Sequence, residues 1–167
     1  FQKVYFALNK FREIVKRKIY PKQITYDINM VEINPTSKHC FTVCQNKKLY
    51  YFTISNLLNI IEHNLTSGEF FFIIPQPIKN PYNNIVLSKS TLYNIYFQYK
   101  FNTLYVNKTF DYFFDCNFDI TRLKDNHYSH LFNRHIKQYI NNLCDNEITV
   151  EIKKMIDRIN RSFVSQS

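Results

Sequence analysis

Cysteine and histidine side chains come close together once in this chain, at His39, Cys40 and Cys44, and both residue types bind zinc. Structural zinc sites join two such close groups, whereas the remaining cysteines, Cys116 and Cys144, stand alone. On a β-strand, positions 40 and 44 lie on the same face, where cysteines serve equally well as small core residues. We therefore expect buried thiols, no metal site and no cofactor.

A second group of histidines lies on a predicted helix that begins after Asp119. Its polar face carries His127, His130, Arg134 and Lys137. Metal-binding histidines on a helix prefer a spacing of four residues, whereas His127 and His130 are three residues apart. The neighbouring cations favour either a solvated face or contact with an anion. Under the second interpretation, Arg134 and Lys137 contact phosphates.

Catalytic chemistry has little support in the sequence. Asp111, Asp115 and Asp119 recur every four residues, but Asp119 is explained as a helix cap and the other two as surface residues. Gly68 is the only glycine, so the chain has no phosphate-binding loop, no dinucleotide fingerprint and no nucleophile elbow. We therefore expect that the protein is not an enzyme, and we identify no small-molecule substrate.

The net charge of +9 is concentrated at the two ends of the chain. Residues 1–22 contribute +6 and residues 149–167 contribute +2, which leaves the middle nearly neutral. Such an asymmetry favours a polyanionic partner, nucleic acid above all, and a solvated helix face in a lysine-rich chain is the alternative. The residues expected to contact phosphates are Lys3, Lys10, Arg17, Arg134, Lys137, Lys154, Arg158 and Arg161.

Hydrophobic periodicity and capping residues predict the elements that position these side chains. The predicted order is a basic amphipathic helix 3–19, a strand 24–33, a hairpin 40–54, a helix from Ser55 to Leu65 stopped by Gly68, a helix capped by Ser88, a short helix 109–115, a helix from Asp119 to about Leu143 and a last helix from Thr149. This order predicts an α+β fold with a small antiparallel sheet in the N-terminal half, a mostly helical C-terminal half, and amphipathic basic helices at both ends. We expect one compact domain over residues 1–145 and a C-terminal helix, 146–167, that can detach from it.

Three prolines, Pro75, Pro77 and Pro81, make residues 75–84 the most constrained segment of the chain. Proline fixes φ and excludes helix, and a capped helix follows this segment directly. A segment with these constraints is typical of a built loop and not of a linker. We predict that this proline loop contacts a protein partner through Pro77, Lys79, Pro81 and Tyr82.

The sequence PIKNPYNN at 77–84, followed by LSK at 87–89 and LYNIYF at 92–97, resembles uncharacterised proteins of nucleocytoplasmic large DNA viruses, the giant viruses. The similarity covers residues 40–145 and includes YFTISNLL at 51–58 and CNFDI at 116–120. A composition rich in Lys, Asn, Ile, Tyr and Phe agrees with an AT-rich viral genome. The resemblance implies a viral protein, and it transfers no activity and no catalytic residue.

These observations lead to one expected function and one alternative. We expect a non-enzymatic giant-virus protein, associated with the virion or with nucleic acid, that contacts phosphates through basic terminal helices with little sequence selectivity. The alternative is a protein-interaction or capsid-scaffolding module that uses the Pro75–Asn84 loop to bind other virion proteins.

Cysteine content and hydropathy indicate where such a protein works. Four cysteines, no signal-peptide pattern and no apolar run of 18 residues predict no membrane partner and a reducing compartment, either the virion or the host cytoplasm. Because residue 1 is Phe and not an initiator Met, we also expect the sequence to be part of a longer protein.

Overall fold

The computed structural model describes residues 2–24, 26, 30–34, 37, 40–70, 72–102 and 106–164. Its elements in chain order are α1 (Gln2–Ile19), β1 (Lys22–Ile24), β2 (Cys40–Gln45), β3 (Lys48–Thr53), α2 (Ile54–Leu65), β4 (Gly68–Glu69), β5 (Phe72–Ile73), α3 (Lys89–Asn102), α4 (Lys108–Asp115), α5 (Ile120–Asn142) and α6 (Asp145–Val164). The predicted α+β class is confirmed, because the sheets lie in the N-terminal half and the C-terminal half is mostly helical.

Strands β2 and β3 form the predicted antiparallel hairpin, with Phe41 opposite Phe52 and Val43 opposite Tyr50. Asn46 and Lys47 make the turn between them with φ values of 50° and 58°. Two residues with positive φ are typical of a two-residue hairpin turn, and asparagine tolerates that conformation better than most residues. The hairpin therefore closes without a glycine.

The predicted strand 24–33 does not form as one strand. Residues 22–24 make β1, which pairs with β3 in parallel and turns the antiparallel hairpin into a mixed sheet of order β1-β3-β2. Beyond it, Tyr26 and Glu32 face each other in an antiparallel bridge, so the chain folds back on itself between them. Met30, with a φ of 62°, lies in this reversal, and residues 25 and 27–29 are outside the described residues.

Both faces of the mixed sheet are buried. Phe41, Val43 and Phe52 point into the main core, whereas Cys40 and Tyr51 join a second cluster on the opposite face. Alternation along a strand sends successive side chains to opposite faces, which explains the division. Burial raises the pKa of the Cys40 thiol, against a smaller opposing effect of Arg17. The expectation of a buried thiol is confirmed for Cys40 and Cys116, whereas Cys44 is only partly buried and the expectation is wrong for Cys144, which is exposed.

The main core is built from α2 to α5, and α4 contacts each of the other three helices. Ile95 and Tyr99 of α3 are completely buried, as expected of a central helix. The Ser88 side chain accepts the backbone N–H of Thr91 at 3.3 Å, and the predicted cap of α3 is confirmed. Thr53 and not Ser55 supplies the N-cap of α2, so the cap lies two residues earlier than predicted.

The interpretation of Gly68 as the cap that ends α2 is wrong. Thr66 is the C-cap of α2, and Gly68 opens β4, which pairs with β5 in a two-stranded antiparallel hairpin. Its φ is not positive, so Gly68 is needed for space and not for a left-handed turn. A β carbon at this position would collide with the carbonyl oxygen of Phe72.

The terminal helices expose apolar side chains. Val4, Leu8 and Phe11 of α1 are each more than 60% exposed, and Ile152 and Ile156 of α6 are about half exposed. Helix α6 begins at Asp145, four residues before the predicted start, and the division of the chain at residue 145 stays a prediction. Within the part of the chain that the structure describes, none of the helices has the length and apolar content to span a membrane.

Candidate functional site

Helices α4 and α5 hold the first group of candidate residues. The Asn107 side chain accepts the backbone N–H of Phe110 at 2.9 Å and caps α4, and Asp119 caps α5 in the same way. Helix α5 is interrupted at His127, whose φ of −128° and ψ of 28° are not helical. At this point the His127 ring lies parallel to the ring of Tyr112 in α4, with centroids 4.0 Å apart. The packing of α4 on α5 thus positions His127.

We call the adjoining surface the cationic face; it consists of Lys108, His127, His130, Arg134 and Lys137. The charges of Lys108, His127 and Arg134 all act on His130, which places these four residues close together. Lys137 follows Arg134 by three residues and therefore lies on the same side of α5. Lys108 and Lys137 are exposed and make no ion pair with any described residue.

Glu62 of α2 is the carboxylate that faces this cluster. Its Oε1 lies 2.8 Å from Nη2 of Arg134, and its Oε2 accepts a hydrogen bond of 2.9 Å from Nδ2 of Asn107. The Glu62 side chain is 13% exposed and that of Arg134 is 44% exposed. Glu62 thus holds Arg134 in place, while the outer part of the guanidinium still reaches solvent.

His130 lies between the cations and Thr109. Its Nε2 is 3.0 Å from the Thr109 hydroxyl. Burial lowers the pKa of His130 and the charge of Arg134 lowers it further, while Glu62 opposes the shift. With a pKa below the ordinary 6.5, the imidazole is largely neutral at pH 7. Lys108 and Arg134 therefore outweigh Glu62, and the cationic face carries a net positive charge that suits an anion.

The predicted cations of the terminal helices are not gathered into one site by the described contacts. Arg17 is exposed, and its charge acts on Cys40 and Tyr51 of the sheet. Lys154 makes an ion pair of 2.7 Å with Glu151 in its own helix. The side chains of the remaining predicted residues lie outside the described set: Lys3, Lys10, Arg158 and Arg161.

The proline loop is fixed to the end of the β2–β3 hairpin. The Asn80 side chain, 1% exposed, donates a hydrogen bond of 2.8 Å to Oε1 of Gln45 and accepts the backbone N–H of Tyr82 at 3.1 Å. The Nδ2 of Asn83 donates to the same Gln45 oxygen at 3.2 Å. The loop is thus held by side-chain amides, and the interpretation of it as a built feature agrees with these contacts.

Of the four predicted partner contacts, Tyr82 points inward. Its ring lies parallel to that of Tyr50 and packs against Phe52, with centroid distances of 6.1 Å and 5.3 Å. Its hydroxyl donates a hydrogen bond of 3.0 Å to the carbonyl oxygen of Tyr26. Tyr82 therefore anchors the loop, whereas Pro77, Lys79 and Pro81 are exposed.

An open groove of about 490 Å³ separates the proline loop from α2. We call it the amide groove, because asparagine is its commonest lining residue; it is lined by Asn56, Asn59, Ile60, His63, Asn64, Lys79, Asn80, Pro81 and Asn84. The loop wall of this groove was predicted from the sequence, whereas the α2 wall was not. A signal was present, since Asn56, Asn59 and His63 recur at the spacing of one helix face.

The third histidine of α5 has a different role from the other two. His135 is buried, with Nδ1 3.0 Å from the carbonyl oxygen of Thr66 and Nε2 2.8 Å from that of Phe70. His39 lies outside the described residues. Among the residues that the structure does describe, no three of the metal-binding side-chain types gather into a site.

No protein-family model, no curated protein and no solved structure matches the chain.

Proposed function

We propose that this chain is a non-enzymatic protein of viral origin that binds nucleic acid through phosphate contacts, with little sequence selectivity. The observation that carries the proposal is the cationic face, where Lys108 and Lys137 flank an Arg134 held in place by Glu62. An arginine fixed by a buried partner is oriented before an anion arrives, so less side-chain entropy is lost on binding. The resemblance to giant-virus proteins supports the viral origin.

Phosphate is the anion that suits this arrangement best. Arginine and lysine make short, charge-assisted hydrogen bonds to phosphate oxygens. When the pH falls and His130 is protonated, its imidazole adds a further positive charge to the face. Contacts to the phosphate backbone set register and orientation but carry no sequence information. Because the proposal rests on phosphate contacts, we expect weak discrimination between sequences.

Helix α1 adds a second cationic surface to the proposal. Residues 2–19 carry six lysines and arginines against one glutamate, and Arg17 and Lys18 are exposed. The positive charge of α1 attracts a polyanion over a long range and steers it towards the protein, and this attraction weakens as the ionic strength rises. We propose that α1 increases the rate and strength of binding and that the cationic face orients the strand.

Three carboxylates with structural roles support a function without catalysis. Asp119 caps α5, Glu62 is bonded to Arg134 and Asn107, and Asp111 pairs with Lys100 at 2.7 Å. Each of these carboxylates already has a structural partner. Thr109, the hydroxyl nearest to His130, is completely buried.

A salt titration tests the proposal directly. Binding to a labelled 20-mer, single-stranded and then double-stranded, is measured from low to moderate salt for the wild type and for Lys108→Glu/Lys137→Glu. Lys48→Glu/Lys89→Glu is the matched control, because it makes the same charge change at exposed lysines elsewhere. We expect the face variant to lose affinity and to lower the salt slope by about 0.9 per phosphate contact, and the control to bind nearly as the wild type does. Equal losses in both variants would refute the role of the face, and no binding by the wild type at low salt would refute the proposal.

A further inference from the structure

The amide groove lies between two walls of different origin. Helix α2 supplies one wall, with Asn59 and His63 both exposed along it. The proline loop supplies the other, with Lys79 and Asn84 exposed. Ile60 of α2 and Pro81 of the loop add the apolar lining. The groove is therefore open and has hydrogen-bonding side chains on both walls.

The loop wall is held in position before any ligand binds. Lys79 pairs with Val86 in an antiparallel bridge, and the backbone N–H of Asn84 donates to the carbonyl oxygen of Asn80 at 2.8 Å. Asn80 in turn is buried and bonded to Gln45 of the sheet. Because these hydrogen bonds already fix the loop backbone, ligand binding does not require the loss of entropy that ordering the loop would cause.

The carboxamides match the chemistry of a polypeptide backbone. Each asparagine side chain offers both a donor and an acceptor, as a peptide unit does. The side-chain amides of Asn59 and Asn84 make no hydrogen bond with a described residue, so both amides remain available. From Asn56 to His63 the helix rises by about 10 Å, at 1.5 Å per residue. An extended chain advances about 3.3 Å per residue, so this length corresponds to about three residues of bound peptide.

The charge of the lining selects an acidic ligand. Lys79 makes no ion pair with any residue that the structure describes, and His63 lies on the opposite wall. None of the described lining residues is acidic. A carboxylate entering the groove therefore meets a cation without having to displace an internal partner.

A nucleic-acid strand fits this groove less well than a peptide does. Proteins that bind single strands stack the bases on aromatic side chains. None of the described residues that line the groove is Phe or Tyr. Pro75, Pro77 and Pro81 have no main-chain N–H, so the loop cannot donate the main-chain hydrogen bonds at these positions that strand addition requires. A peptide would therefore be bound by the side-chain amides.

We propose that the amide groove binds an extended, acidic peptide segment of a partner protein. Asn59 and Asn84 hydrogen-bond its main chain, and Lys79 pairs with an Asp or Glu side chain. This site is separate from the cationic face in its residues and in its ligand. Either proposal can therefore fail while the other holds.

Selection from a displayed library of random octapeptides on the intact protein tests this inference. The enriched peptides are then synthesised, and their affinity is measured by fluorescence polarisation. We expect enrichment of peptides with at least one Asp or Glu, and a loss of affinity of tenfold or more in Asn59→Ala/Asn84→Gly. Glycine is chosen at position 84 because Asn84 has a φ of 56°. We also expect Lys79→Glu to remove the preference for acidic peptides.

Asn133→Ala/Asn142→Ala is the matched control, since both residues are exposed asparagines of α5 away from the groove. It should bind the selected peptides as the wild type does. No enrichment on the wild type, or equal affinity for the wild type and the groove variant, would overturn the inference. Binding of the labelled 20-mer by the groove variant gives an independent check that it is folded and that the phosphate-binding proposal is unaffected.

Discussion

The imidazole of His135 lies against Gly68, so that a β carbon on residue 68 would stand 3.0 Å from both Cε1 and Nε2 of the ring. The same ring contacts the carbonyl oxygens of Thr66 and Phe70 on either side of that glycine. A carbonyl oxygen only accepts, so a neutral ring donates one of these hydrogen bonds and a protonated ring donates both. His135 thus holds the β4–β5 hairpin to α5, and Gly68, the only glycine of the chain, leaves room for the imidazole ring.

Replacing Gly68 by alanine should destabilise the protein. The added methyl group meets the Phe72 carbonyl oxygen and the His135 ring, and neither can move without breaking the hairpin or its contact with α5. We expect a loss of about 1–3 kcal/mol in the free energy of unfolding, measured by urea denaturation. In a His135→Ala background the same substitution should cost less, because the added methyl group no longer meets the imidazole ring. Unchanged or increased stability of Gly68→Ala would contradict the close contact.

Removing the His135 ring should loosen the hairpin. His135→Ala leaves two backbone carbonyl oxygens without their ring partner and opens a cavity between α5 and β4. We expect a loss of about 1–3 kcal/mol and faster amide hydrogen exchange at β4 and β5. His63→Ala is the control, because His63 is exposed and should change stability by no more than about 0.5 kcal/mol. Equal effects of the two substitutions would show that His135 does not hold the hairpin.

Acidification should destabilise the protein through His130. Its pKa in the folded state is lowered, chiefly by burial and then by Arg134, from an ordinary value of 6.5. The unfolded chain therefore binds more protons in the window below about 6.5, and stability is lost as the pH falls through that window. We expect the wild type to lose more stability between pH 7.5 and pH 5 than His130→Gln does, as measured by denaturation at each pH. Parallel pH profiles of the two proteins would contradict the assigned shift.

Asn80 should be necessary for the proline loop to stay on the sheet. Asn80→Ala removes the bond to Gln45 and the acceptor of the Tyr82 N–H, both at a buried position. We expect a loss of about 1–3 kcal/mol, together with a weaker near-ultraviolet circular dichroism signal as the Tyr82 ring leaves Tyr50 and Phe52. Asn84→Gly removes an exposed amide of the same loop and should leave that signal intact. A wild-type signal in Asn80→Ala would mean that ring packing alone holds the loop.

Local signals predicted much of the helical architecture. Ser88 and Asp119 cap α3 and α5 as expected, because a capping side chain bonds to a backbone N–H only three residues ahead. The β2–β3 hairpin is equally local, since its two-residue turn sets the register of both strands. Gly68 shows the limit of such reasoning. A glycine after a helix is typical of a C-cap, yet here its role depends on a histidine 67 positions later.

The functional surfaces depend on contacts that no local pattern contains. Glu62 and Arg134 are far apart in the sequence, and their ion pair exists only because α2 packs on α4 and α4 packs on α5. The same holds for the amide groove, whose walls come from α2 and from the proline loop.

By itself the sequence determined the α+β class, the caps of α3 and α5, the β2–β3 hairpin and the built character of the proline loop, because each rests on interactions between residues a few positions apart. Only the tertiary structure decided that Tyr82 points inward, that Arg134 is held by Glu62, and that asparagines of α2 face Lys79 across a groove. Those relationships follow from the burial of apolar helix faces against one another, and that burial is a property of the whole chain.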